Sequence, residues 1–237
     1  MKYLLLSLVI SLSTGLSVSG GTAVPDHSTW NSLLQKYVSE AGVVNYSAFK
    51  TNKEFQNYIL TISGSHPDDS WSRDQKMAYW INAYNAFTVK LIIDNMPLRS
   101  IKDIEAPWDR KFIDIEGNKY SLNSIEHEIL RPVFKDPRIH FAVNCASKGC
   151  PPLLNSAFTA ENLNNQLELV TKSFINNPAH NQLNGDKLKV SQIFNWFADD
   201  FGIKGGVQQF ISRYSKVEVD SNAKLLFNDY DWSLNGK

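Results

Sequence analysis

His140-Phe-Ala-Val-Asn-Cys-Ala-Ser-Lys-Gly-Cys-Pro-Pro152 reads as a short buried strand, His140 to Asn144, that runs into a tight turn. An apolar run closed by Gly and Pro is the usual mark of such a strand. Alternate side chains of a strand face opposite sides. His140, Ala142 and Asn144 should therefore share one face, and Phe141, Val143 and Cys145 the other. Both cysteines of the chain lie in this stretch, so the turn is where any thiol chemistry must happen.

Most of what surrounds this stretch is helical. Trp30, Leu33, Leu34, Tyr37 and Val38 form a helical stripe over residues 27–38. Gly42 to Tyr46 reads as a short extended piece, and Ser47 to Ser63 as a second helix. Ser72 is placed to N-cap a helix from Arg73 to Asn95, with Met77, Trp80, Ile81, Tyr84, Phe87, Thr88 and Leu91 on its buried side. Met96-Pro97 ends it. Residues 111–122 alternate around Glu116-Gly-Asn-Lys119 and predict a β-hairpin. Asn123-Ser-Ile-Glu126 fits a capping box for a helix that stops before Pro132. Further helices are expected over 159–176, 191–201 and 205–215, and short strands over 187–190 and 224–228. Many helices with a few short strands in irregular order predict an α+β fold: a helix-rich single domain with a small, mainly antiparallel sheet.

The N-terminus predicts export. Met1-Lys2 is followed by an apolar stretch from Leu4 to Leu16 and then small residues, the layout of a signal peptide covering 1–20. The apolar run is shorter than the ~20 residues a membrane span needs. The rest, 21–237, fits one globular domain. A periplasmic or secreted protein is expected, in a compartment that permits disulfides. The 24 basic and 24 acidic side chains cancel, which gives no electrostatic reason to bind nucleic acid. Six tryptophans and nine tyrosines predict a well-filled core and an aromatic-lined cleft.

Several separate motifs resemble one family. Trp80-Ile-Asn-Ala-Tyr-Asn85, Ile125-Glu-His127, His140 to Cys145 with Cys150-Pro-Pro152, Phe194-Asn-Trp-Phe-Ala-Asp-Asp-Phe201 and Tyr230-Asp-Trp-Ser-Leu-Asn235 together resemble the domain-of-unknown-function family 547. The resemblance covers nearly all of 21–237 and implies an exported bacterial member. It carries no assigned catalytic residue.

Three kinds of chemistry suit the cysteine pair. The first is a nucleophile. Cys145 ends the strand, and free backbone N–H groups of Ala146-Ser-Lys-Gly149, Ser147 among them, would stabilise a thiolate or an oxyanion. A thiol needs a base at neutral pH. Strand parity turns His140 away, so His127 becomes the expected general base, with Glu126 as its orienter. Lys148 is a further cation nearby. Asn82 and Asn85 share a face of the long helix beside Trp80. They are candidates to bind an oxyanion or a substrate amide, or to lock the loop that carries Cys145. Asp199, Asp200 and Asp231 are carboxylates that sequence does not place. This set predicts an extracytoplasmic cysteine hydrolase or acyl transferase acting on a peptide or protein amide bond. Its logic is distantly papain-like or transglutaminase-like, with histidine before cysteine as in a circular permutation.

The second is a Cys145–Cys150 disulfide, structural or redox-active, in a non-catalytic binding or scaffold protein. Two oxidised cysteines in the resting chain would rule out a simple free-thiol nucleophile. The third is zinc held by His127, His140, Cys145 and Cys150. Their spacing matches no familiar zinc pattern, so neither metal nor cofactor is expected.

Overall fold

A computed structural model describes residues 22–184, 186–202 and 205–237. The predicted signal peptide, 1–20, lies outside the described residues.

Four helices come first: α1 (Ser28–Tyr37), α2 (Tyr46–Lys50), α3 (Lys53–Ser63) and α4 (Arg73–Asn95). The single helix expected over 47–63 is split into α2 and α3. Asn45 and Asn52 each act as an N-cap, their side chains accepting from the backbone N–H of Ala48 and Phe55. Asparagine satisfies a helix start better than it continues one.

Helix α4 is the centre of the molecule. Ser72 and Gln75 cap it reciprocally. A one-sided apolar stripe is expected from its sequence, yet almost every residue from Met77 to Ile93 is buried. A helix enclosed on all sides marks a core element. Asn82, Asn85 and Thr88 are carried into the interior with it.

The hairpin forms as expected. Strands β1 (Ile113–Ile115) and β2 (Asn118–Tyr120) pair antiparallel. Glu116 and Gly117 take positive φ at 48° and 82°, the turn that matches strand twist. The next helix, Ser124–Phe134, has wide π winding and runs through Pro132 rather than stopping before it. Wider winding loosens the conflict between a proline ring and the preceding carbonyl. The capping box expected from Asn123 and Glu126 does not form. Ser121 and Ser124 cap each other's backbone N–H instead, at 3.0 and 2.8 Å.

The expected strand at 140–144 is replaced by a 3-10 helix, Pro137–Phe141. Asp136 accepts from the N–H of Arg138, and Pro137 sits at the first helical position. An Asp-Pro start is a helix signal. A buried apolar run does not by itself separate strand from helix, so the parity argument for His140 and Cys145 fails here.

The second half holds α5 (Leu163–Ile175), α6 (Ile193–Trp196), α7 (Ala198–Gly202) and α8 (Gly206–Tyr214). Strands β3 (Gln182–Asn184), β4 (Lys187–Val190) and β5 (Lys224–Phe227) form a sheet in that order. β3 and β4 pair antiparallel, β4 and β5 parallel. The fold is α+β and helix-rich, with one continuous apolar core from Trp30 to Ala223. Among the described residues no helix is long and apolar enough to cross a membrane.

Candidate active site

Cys145 and Cys150 are joined in a disulfide, with Cα atoms 6.2 Å apart. Ala146, between them, holds a positive φ of 61°, which costs a residue with a Cβ about 1–3 kcal/mol. Buried Asn144 stabilises that conformation. Its Oδ1 accepts from the Ala146 N–H at 2.9 Å, and its Nδ2 donates to the Pro151 carbonyl at 2.7 Å. Asn85 reaches from α4 to the same loop, donating to the Ala142 carbonyl and accepting from the Asn144 N–H, both at 2.9 Å. Of the roles open to Asn85, locking the loop is the one the structure assigns.

The chain's end straps this turn. The N–H groups of Lys148 and Gly149 donate to the carbonyls of Ser233 and Asp231 at 2.9 and 2.8 Å. Cys150 N–H donates to the Ser147 carbonyl, and Cys145 N–H to Cys150 Sγ at 3.0 Å. Free turn amides were the expected oxyanion donors. The C-terminal segment meets the turn through one antiparallel bridge, Ser147 to Leu234, and occupies the amides of Lys148 and Gly149. Gly149 lies directly beneath the Tyr230 ring, and a Cβ there would come within 2.9 Å of three ring carbons. Gly149→Ala should therefore displace Tyr230 and lower stability by about 1–3 kcal/mol, as overpacking does. A thermal melt unchanged by this substitution would show the strap to be loose.

A cleft of about 190 Å³ opens beside the turn, lined among others by Tyr84, Glu126, His127, His140, Cys145 and Cys150. Its rim is aromatic. Trp196, which is 47% exposed, packs on Tyr230 and Trp232 with ring centres 4.8 and 5.9 Å away. Trp108 meets Trp232 edge-on, and the Lys102 ammonium sits 4.4 Å over the Trp232 ring.

His140 and Cys145 thus share a cleft, against the expectation that they face apart. His140 is buried at 3% exposure, and its Nε2 bonds Asp200 Oδ2 at 2.7 Å. Asp200 also accepts from Arg131 Nε at 2.6 Å and Nη2 at 3.1 Å. Phe197 stacks on the His140 imidazole at 3.9 Å. Burial raises the Asp200 carboxyl, but the bonds from His140 and Arg131 outweigh that and hold it well below the ordinary range. Burial lowers His140, against the opposing pull of Asp200. An ionised Asp200 places the imidazole proton on Nε2 and leaves the Nδ1 lone pair free. Nδ1 is buried without a hydrogen-bond partner, 4.0 Å from Glu126 Oε1.

Glu126, released from capping, is buried facing Tyr84. Burial pushes its carboxyl up to about 7, against the lowering effects of Tyr84 and Arg131. Glu126 therefore stands 4.0 Å from the His140 Nδ1 as a carboxyl that burial keeps protonated well above its ordinary range. His127 also lines the cleft, but it is exposed and its Nδ1 accepts from Arg131 Nη1 at 2.7 Å. Burial and the Arg131 charge lower it. Of the two histidines lining the cleft, His140 is the one with an unpaired ring nitrogen.

Two other candidates fall elsewhere. Asn82 is fully buried and bonds both backbone groups of Phe158, at 2.7 and 3.0 Å. Trp80 packs edge-on against Tyr79, His66 and Tyr120. Both are structural. Ser147 is at the site: its Oγ lies 3.4 Å from Cys145 Sγ and donates to Tyr230 Oη at 3.3 Å. Asp200, Tyr84, Tyr230 and Asn144 are the site residues sequence reasoning did not place. Among the described residues no group of three or more His, Cys, Asp or Glu side chains is placed to hold a metal ion.

The model of a family described as "Protein of unknown function, DUF547" matches residues 69–175. That segment holds Glu126, His140, Cys145 and Cys150; Asp200 and Tyr230 lie beyond it. No curated protein and no solved structure matches the chain.

Proposed function

We propose that this chain, whose residues 69–175 match the model of the DUF547 family, is an extracytoplasmic cysteine-dependent hydrolase or acyl transferase acting on a peptide or amide bond. It works in its dithiol state, because the joined sulfurs leave no nucleophile at rest. The reading is carried by one observation: an Asp-anchored His140, whose Nδ1 has no hydrogen-bond partner, lines the same cleft as Cys145.

Each residue then has a task. His140 Nδ1 takes the Cys145 thiol proton, and the thiolate attacks the substrate carbonyl carbon. The proton passes to the leaving amine as the C–N bond breaks, leaving a thioester on Cys145. Water opens the thioester in a hydrolase; an acceptor amine opens it in a transferase. Asp200 fixes the imidazole tautomer and stabilises the imidazolium. Glu126 holds a proton beside Nδ1, and the aromatic rim binds a flat or apolar substrate group. The order Glu126, His140, Cys145 puts histidine before cysteine, which is permuted relative to papain-like and transglutaminase-like enzymes.

The dithiol chain treated with p-nitrophenyl acetate should gain one acetyl group on Cys145, visible by intact mass and removed by hydroxylamine. The disulfide form should gain none there. A dithiol form whose Cys145 alkylates but never acylates would overturn the reading.

A second reading is favoured by the disulfide itself: a binding protein whose turn is stapled and whose aromatic rim holds a peptide or glycan. It predicts that the oxidised chain binds such ligands and that reduction weakens binding.

A further inference from the structure

We propose that the Cys145–Cys150 bond is a directional thiol–disulfide exchange site: an incoming thiolate attacks Cys145, and Cys150 leaves. Only the consequence that exchange switches acyl chemistry on rests on the function proposed above.

The two sulfurs are not equivalent. Both line the cleft, but Cys145 is half-buried whereas Cys150 is 5% exposed. Attack needs access to one sulfur and a good leaving group at the other. Access favours Cys145. The leaving-group criterion selects Cys150, because two donors point at its Sγ: the Cys145 N–H at 3.0 Å and the Tyr230 O–H at 3.1 Å. Ser147 Oγ donates in turn to Tyr230 Oη at 3.3 Å, so the Tyr230 proton is directed away from Ser147. Ser147 Oγ and Tyr230 Oη also lie 3.4 Å from Cys145 Sγ, but both contacts are longer than those to Cys150 and that sulfur has no backbone donor among the described residues. Donors on a sulfur lower the energy of its thiolate and speed its departure. Burial holds the Tyr230 phenol well above its ordinary range, so it remains a donor throughout.

The step balances with a dithiol as the reductant. One thiolate of the dithiol bonds to Cys145 Sγ, and the S–S electron pair leaves on Cys150 as a thiolate. The second thiol of the reductant, deprotonated, attacks its own mixed-disulfide sulfur and releases Cys145 as a thiolate. The reductant becomes a disulfide, and both cysteines are reduced by its two electrons.

The experiment uses the native oxidised chain and glutathione as the attacking monothiol, with rapid N-ethylmaleimide quenching and peptide mass mapping. Glutathione should be found on Cys145 and maleimide on Cys150, with at least tenfold preference over the reverse pattern. Tyr230→Phe should slow exchange about tenfold, the loss expected for one hydrogen bond to a charged group. Ser147→Ala should slow it less and keep the direction. An even distribution, the reverse pattern, exchange only under denaturant, or an unchanged rate in Tyr230→Phe would each overturn the proposal. Directional exchange in a chain that never forms the Cys145 thioester would leave this inference standing and remove the acyl-transfer reading.

Discussion

His140→Ala should lower the rate of Cys145 acylation by about 10²–10⁴-fold, the usual contribution of a positioned general base. The comparison belongs in a Cys150→Ser background, where Cys145 is permanently free. His127→Ala in the same background should change the rate by less than about threefold, since an exposed side chain that already accepts from Arg131 has no base role to lose. Iodoacetamide gives a second, independent readout. A thiol of ordinary pKa near 8.5 is about 3% ionised at pH 7. A thiolate fully stabilised by an imidazolium would react up to about 30-fold faster, and His140→Ala should remove that advantage. The variant should still fold, because Asp200 keeps its two bonds to Arg131. If His127→Ala caused the larger loss, the base would be misassigned; if neither mattered, Cys145 would have no base and the acyl-transfer reading would fail.

How much of this was legible in the sequence depends on whether local signals settled the question. The α4 cap, the hairpin turn and the helix starts were readable because their interactions span three or four residues. The 140–144 segment was misread because its apolar run fits strand and helix alike, while the deciding residues, Asp136 and Pro137, lie just upstream. The same parity argument is what favours His127 over His140 as the base. With His140 assigned to the other face, His127 is the histidine left near the cysteine turn, and Glu126 is shared between a capping role and an orienting one. The Ser121–Ser124 pair that replaces that cap is equally local and could have been noticed. The Asp200 bond could not: it joins side chains 60 positions apart, and nothing in sequence ranks Asp200 above Asp199 or Asp231. The same holds for Tyr230, 80 positions from Cys150. The cysteine pair was identifiable as a site, while the groups that give its two sulfurs different roles were not.

Glu126→Gln should make the chain more stable than its parent at pH 8 and leave it nearly unchanged at pH 4. Burial raises the Glu126 carboxyl from an ordinary 4.5 to about 7, so between those values the folded chain holds a proton that the unfolded chain has released. Its contribution is fully present below about 4.5 and is lost as pH rises through about 7. At 1.36 kcal/mol per unit the full difference is about 3 kcal/mol, or roughly 6–12 °C in melting temperature for a chain of this size. Glutamine keeps the shape without the ionisation and should be insensitive to this change. The other ionisable groups facing Glu126 act differently. His140, lowered mainly by burial, contributes stability at high pH that is lost as pH falls below 6.5. Asp200 is held low by His140 and Arg131 despite burial, so it stays ionised across this window; Tyr84, raised by burial, stays neutral. The parent's own profile is therefore a partial cancellation, and the difference between variant and parent isolates Glu126. A simple loss of the Tyr84 hydrogen bond would give a constant offset at every pH. Parallel melting curves from pH 4 to pH 8 would show that Glu126 does not hold a proton beside His140.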